Sequence, residues 1–101
     1  PVTGYDPSVS YSLYSMKPHK LYVNFGFWDV VKTDREEGYF NKAIEAKVRK
    51  LDGQKSLYST SYYSREEFGE LYNEGGYRQL KIRYDSTGKL NNLYEKCVLK
   101  K

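Results

Sequence analysis

Apolar residues alternate with polar ones in two stretches of this chain and recur at three- and four-residue spacing through most of the remainder. Residues 21–31 put Leu21, Val23, Phe25 and Phe27 on one side of an extended chain. Tyr22, Asn24, Gly26 and Trp28 fall on the other side, where the bare spot at Gly26 lets another backbone or a flat ligand approach. This predicts a first β-strand. Residues 57–63 predict a second, with Tyr58, Thr60 and Tyr62 on one face and Ser59, Ser61 and Tyr63 on the other.

Between the two, Thr33-Asp34-Arg35-Glu36 has the Ser/Thr-x-x-Glu form of a capping box. Phe40, Ala43, Ile44, Val48 and Leu51 follow it as one apolar stripe. A helix is expected from Thr33 to a left-handed stop at Gly53, with Asp34, Glu36 and Glu37 early and Lys47, Arg49 and Lys50 late, as the helix dipole favours. Ser64-Arg65-Glu66-Glu67 repeats the box and opens a helix through Phe68, Leu71 and Tyr72, for which Gly75-Gly76 is the expected terminator. A third short helix carries Tyr77, Leu80 and Tyr84 to the turn Asp85-Ser86-Thr87-Gly88. A last amphipathic piece holds Leu90, Leu93, Tyr94, Cys97 and Val98.

The expected fold is therefore α+β: a small, incomplete sheet of about two main strands covered by three to four helices. A leading loop over residues 1–20, which contains Pro1, Pro7 and Pro18, precedes it. Two strands separated by a helix leave unpaired backbone groups on both rims. Either upstream parts of a longer chain complete the sheet, or two copies pair edge to edge as a homo-oligomer. The start, Pro1-Val2-Thr3-Gly4, has neither an initiator methionine nor a signal pattern, and reads as a segment cut from something longer.

Composition narrows the chemistry. The 101 residues suffice for one domain at most, and with 39% apolar residues, 12 tyrosines and a net charge of only +4 the chain is not a disordered polyelectrolyte. No apolar run approaches the roughly 20 residues that span a bilayer, so a cytoplasmic location is expected, with membrane association left open. The single cysteine, Cys97, cannot close an intrachain disulfide and reads as a small buried hydrophobe. His19 stands alone in a polar loop, so neither a metal site nor a histidine-based catalytic group is expected.

No phosphate-cradling glycine loop, zinc-protease helix motif or nucleophile elbow occurs, so the chain holds no complete active site of those kinds. Scattered lysines interleaved with acidic residues argue against nucleic acid as a partner. The tyrosines are the most informative feature, because a phenol offers a flat apolar face and one hydroxyl. On the helices, Tyr39, Tyr72, Tyr77, Tyr84 and Tyr94 are expected to pack; Tyr58, Tyr62 and Tyr63, on a polar strand, are candidates to line a cleft.

Three runs carry a family resemblance. They are Lys20-Leu21-Tyr22-Val23-Asn24-Phe25-Gly26-Phe27-Trp28, then residues 57–68 (LYSTSYYSREEF), then Tyr77-Arg78-Gln79-Leu80-Lys81-Ile82-Arg83-Tyr84-Asp85, with Leu93-Tyr94-Glu95-Lys96 near the close. Together, over roughly residues 11–98, the chain resembles the C-terminal end of FAD-linked oxidoreductases of the vanillyl-alcohol-oxidase type. Within these it is most similar to the group of the sterol Δ24-reductases and their bacterial relatives. Asp85-Ser86-Thr87-Gly88 stands where that family commonly has an Asp-Pro-x-Gly turn, and no basic residue appears among residues 58–63, where many relatives offer one near the flavin.

The resemblance implies that residues 21–101 are a substrate cap laid over FAD, that an N-terminal domain of the same polypeptide binds most of the FAD, and that hydride passes between flavin and a small organic substrate of the sterol or lipid kind. As a piece, the chain would then be inactive. The substrate- and flavin-facing candidates are Asn24 and Trp28 on the first strand and Tyr58, Thr60 and Tyr62 on the second, with Ser61 and Tyr63 replacing the latter if the opposite face looks at the flavin. The alternative is a free-standing α+β module for interaction or nucleic-acid binding.

Overall fold

The computed structural model of the chain describes residues 2, 3, 8, 11–14, 16, 17, 19–26 and 28–101; Phe27, Pro1, Gly4, Pro7 and Pro18, named above, lie outside the described residues. Helices dominate. Three α-helices, α1 (Tyr39–Lys50), α2 (Arg65–Leu71) and α3 (Glu74–Tyr84), are followed by a π-helical segment, Glu95–Leu99. The β structure among the described residues is one antiparallel pairing of β1 (Val2–Thr3) with β2 (Tyr22–Val23), in register Val2 to Val23 and Thr3 to Tyr22. The leading segment is thus not all loop. No helix among the described residues is long and apolar enough to cross a membrane.

The two-strand expectation is corrected on both sides. Among the described residues of the first predicted strand, Tyr22 and Val23 are the ones that pair, and Leu21, Phe25 and Val30 are 76%, 81% and 95% exposed. Residues 57–63 form no strand at all. Their backbone groups turn instead to side chains. The Tyr62 amide donates to the Glu45 carboxylate, and the Thr60 carbonyl accepts from Lys55 Nζ at 2.5 Å. A strand period in sequence needs a partner strand to become a ladder, and here an ion pair satisfies the backbone first.

Helix α1 starts later than its apparent box. Thr33 Oγ1 accepts from the Arg35 amide at 3.0 Å, a local turn two residues on, and Glu36 pairs with Lys42 at 3.4 Å instead of reaching back to Thr33. The N-cap is Gly38, whose φ of 77° demands a residue that tolerates the left-handed region. At the other end the left-handed position is taken by Asp52 (φ 57°), not by Gly53. The Gly53 amide donates to the Val48 carbonyl at 2.9 Å and the Asp52 amide to the Arg49 carbonyl at 3.0 Å, the paired bonds of a Schellman stop.

Ser64 caps α2 as expected: its side chain accepts from the Glu67 amide at 3.2 Å, while the Glu67 carboxylate accepts from the Ser64 amide at 3.1 Å. Gly75-Gly76 does not end that helix. Asn73 does, in the left-handed region (φ 49°), and its side chain then caps α3 by accepting from the Gly76 amide at 3.1 Å. The glycines therefore lie in the first turn of α3. That helix ends at Tyr84, where the turn closes with the Gly88 amide donating to the Asp85 carbonyl. Asn92 and Glu95 form a last reciprocal cap, Glu95 amide to Asn92 Oδ1 at 2.8 Å and Asn92 amide to Glu95 Oε2 at 3.0 Å, before the π-helical segment.

The core among the described residues is small and aromatic. Tyr63, Phe68 and Tyr72 are buried, with Tyr14, Leu57, Leu71, Leu93, Tyr94, Cys97 and Val98 packed around them. Phe68 meets Tyr72 at 4.7 Å between ring centroids and Tyr94 edge-on at 5.4 Å. The apolar stripe of α1 does not join it. Phe40, Ala43 and Leu51 are exposed, Ile44 and Val48 half-buried, and Glu45 is the buried residue of the helix.

Candidate functional site

The loop between α1 and α2 gathers most of the polar chemistry. Its organiser is Lys55, whose ammonium donates to Glu45 Oε1 at 2.6 Å, to the Thr60 carbonyl at 2.5 Å and to Ser61 Oγ at 3.4 Å. Both partners of this ion pair are withdrawn from water, their side chains 15% and 5% exposed. Glu45 accepts in turn from the Tyr62 amide at 3.2 and 3.1 Å. Behind them the Tyr72 hydroxyl donates to the Lys55 carbonyl at 2.5 Å and Gln54 Nε2 to the Leu71 carbonyl at 2.8 Å, fastening the loop to the end of α2. Burial pushes the Tyr63 phenol up to about 12, with the nearby Glu45 charge adding to the rise, and burial pushes Tyr72 higher still. Both hydroxyls stay neutral at any physiological pH and serve as packing and hydrogen-bonding groups.

The candidate residues divide into two places. Trp28 and Tyr58, 78% and 70% exposed, stand together with ring centroids 6.4 Å apart and planes inclined by 33°. The Trp28 ring lies over Gly26, 3.1 Å from where a Cβ would sit, so the bare spot on the first segment is covered from within the chain. Asn24 is exposed on the same segment. Tyr62 is elsewhere. Its ring rests on Gly38, its hydroxyl donates to Glu37 Oε1 at 3.4 Å, and Lys42 Nζ sits 5.8 Å from the ring centroid. Burial, then the Glu37 charge, raise the Tyr62 phenol above its ordinary value. Thr60 is half-buried and contributes its carbonyl to Lys55. Ser61 and Tyr63, the opposite-face alternative, are buried in the interior at 1% and 6% exposure and present nothing to a ligand.

Two concavities accompany these groups. One, between Arg65, Phe68, Tyr72, Tyr77 and Tyr94, holds about 20 Å³, the room of a single water. The other is an open groove of about 260 Å³ with Tyr62, Glu37, Gly38, Tyr39 and Arg35 in its wall. Ligand pockets that enclose a drug-sized molecule run from roughly 300 Å³ upward, so neither concavity wraps a flavin. The Trp28 and Tyr58 faces fit a flat ring as one wall, not as a pocket.

The buried Glu45–Lys55 pair escaped the sequence reading, because Glu45 falls beside the apolar stripe and Lys55 just before the second alternating stretch. Its signal was a carboxylate next to Ile44 and one helical turn before Val48, with a lysine across the following turn. Among the described residues no group of three or more His, Cys, Asp or Glu side chains could hold a metal ion. His19 is exposed with φ 60°, and Cys97 is half-buried against the aromatic core. Comparison with known proteins returned no match to this chain among protein-family models, curated proteins or solved structures.

Proposed function

We propose that this chain is the substrate-cap portion of an FAD-dependent oxidoreductase, a cover that completes a pocket whose floor is an FAD-binding N-terminal domain of the same polypeptide. The resemblance of residues 11–98 to that family names the partner. One observation carries the need for a partner: the chain exposes 8271 Å² of surface. A self-sufficient folded monomer of its 11.9 kDa exposes about 5,900 Å². The excess, roughly 2,300 Å², is of the order that an obligate interface buries. In and just after the first segment of the resemblance, Leu21, Val23, Phe25, Trp28, Val30 and Val31 all face solvent.

Bound FAD would supply the redox chemistry, a hydride passing between flavin and a small organic substrate of the sterol or lipid kind. This chain's residues would exclude water and orient the substrate: the Trp28 and Tyr58 faces as an apolar wall, the Asn24 carboxamide and the Tyr58 hydroxyl as polar contacts on that wall. Tyr62, turned toward Glu37 and α1, belongs to the groove beside it. Alone, the chain has no activity on this reading.

The deciding experiment is the visible spectrum of the intact polypeptide expressed from its gene. Yellow protein that releases FAD on denaturation, and whose colour bleaches anaerobically with a sterol or lipid substrate, is the expected result. A colourless product that free FAD cannot reconstitute overturns the proposal and leaves an interaction module in its place.

A further inference from the structure

Lys55 uses all three of its ammonium protons on two parts of the chain: Glu45 in α1, and the Thr60 carbonyl with the neighbouring Ser61 hydroxyl. Glu45 closes the ring by accepting from the Tyr62 amide. The stretch from residue 55 to residue 62 is thereby cinched at its base, and Tyr58 projects from its outer part beside Trp28. For stability alone such a pair is a poor choice, since well-packed apolar residues in place of a buried ion pair are often neutral or better. What an apolar pair cannot do is grip a backbone carbonyl and a backbone amide at once.

We infer that Glu45 and Lys55 are positioning residues, which set the loop of residues 56–62 so that Tyr58 is held against Trp28 and the two rings form one surface. This deepens the cap reading and rests on it for the use of that surface, but the loop geometry itself is testable without flavin. A role confined to stability would move every part of the core together; a positioning role moves Tyr58 selectively.

The test is ¹⁹F NMR of the full chain labelled with 3-fluorotyrosine. The Tyr58 resonance is assigned by Tyr58→Phe, and its ring-current displacement by Trp28→Leu. In Lys55→Met, and separately in the near-isosteric Glu45→Gln, Tyr58 is expected to lose the Trp28-dependent displacement while the Tyr63 and Tyr72 resonances keep their positions. Retention of the Tyr58 displacement in both variants overturns the inference. So does collapse of the Tyr63 and Tyr72 signals in both, which would make the pair a determinant of the whole core. Because no flavin enters the readout, either failure is distinct from a colourless intact polypeptide.

Discussion

Gly38 shows how much can hang on a missing methyl group. Its φ of 77° excludes an unstrained L side chain, and a Cβ there would sit 2.4 to 2.8 Å from three atoms of the Tyr62 ring. Gly38→Ala therefore combines left-handed strain of about 1–2 kcal/mol with displacement of the ring that links the loop to α1. The denaturant midpoint should fall accordingly, and an unchanged midpoint would place Tyr62 elsewhere in solution. The exposed tyrosine behaves differently. Tyr58 is 70% exposed, so Tyr58→Phe removes a hydroxyl that water can replace and should leave thermal stability within about 0.5 kcal/mol. On the proposed cap reading, the same substitution should lower the turnover of the full-length protein, whereas equal turnover would take Tyr58 out of the substrate wall.

At the scale of elements, the capping boxes separate cleanly. Ser64 makes both reciprocal bonds, and Ser64→Ala should cost about 1 kcal/mol, read as a shift in chemical denaturation. The Thr33 sequence has the same letters without the same bonds, because its hydroxyl closes a turn onto Arg35 and the helix waits for Gly38. The stripe on α1 teaches the complementary lesson. Its spacing was legible, but its burial depends on what packs against it, and in this chain Ile44 is only half-buried. Ile44→Ala should then destabilise by about 1 kcal/mol, below the 2–5 typical of a buried isoleucine; a loss in that upper range would mean that the helix face is covered in solution.

The whole molecule is loosely built. Its radius of gyration is 15.4 Å, against about 13 Å for a compact chain of this length, and its interior is a knot of aromatic rings with phenolic hydroxyls turned onto backbone carbonyls. That interior sets an alkaline limit. A folded-state pKa raised above the ordinary value near 10 means that the folded protein holds its proton longer than the unfolded chain. The stabilisation is complete below pH 10 and is lost as pH rises through the folded value, about 12 for Tyr63. The last part of the tyrosinate absorbance, that of the buried phenols, and the helical circular-dichroism signal should accordingly change together between those limits. Ionisation of every tyrosine near pH 10 with the helices intact would contradict the buried core.

Local bonding rules were enough for the sequence to determine the Ser64 cap and the turn after Tyr84, and the expected packing holds for Tyr72, Tyr94 and Cys97 but not for Tyr39 and Tyr84, which are exposed. Asn73 and Asp52 displaced the glycines expected as helix stops because their short polar side chains tolerate the left-handed region and gain partners there: Gly76 for one, Lys17 and Lys20 for the other. Only tertiary structure decided the fate of the two alternating stretches. A period of two says which side chains share a face, not whether a second strand arrives to take the backbone hydrogen bonds. Here the Glu45–Lys55 pair took those of residues 60 and 62, and residues 24–26 and 28–31 form no strand.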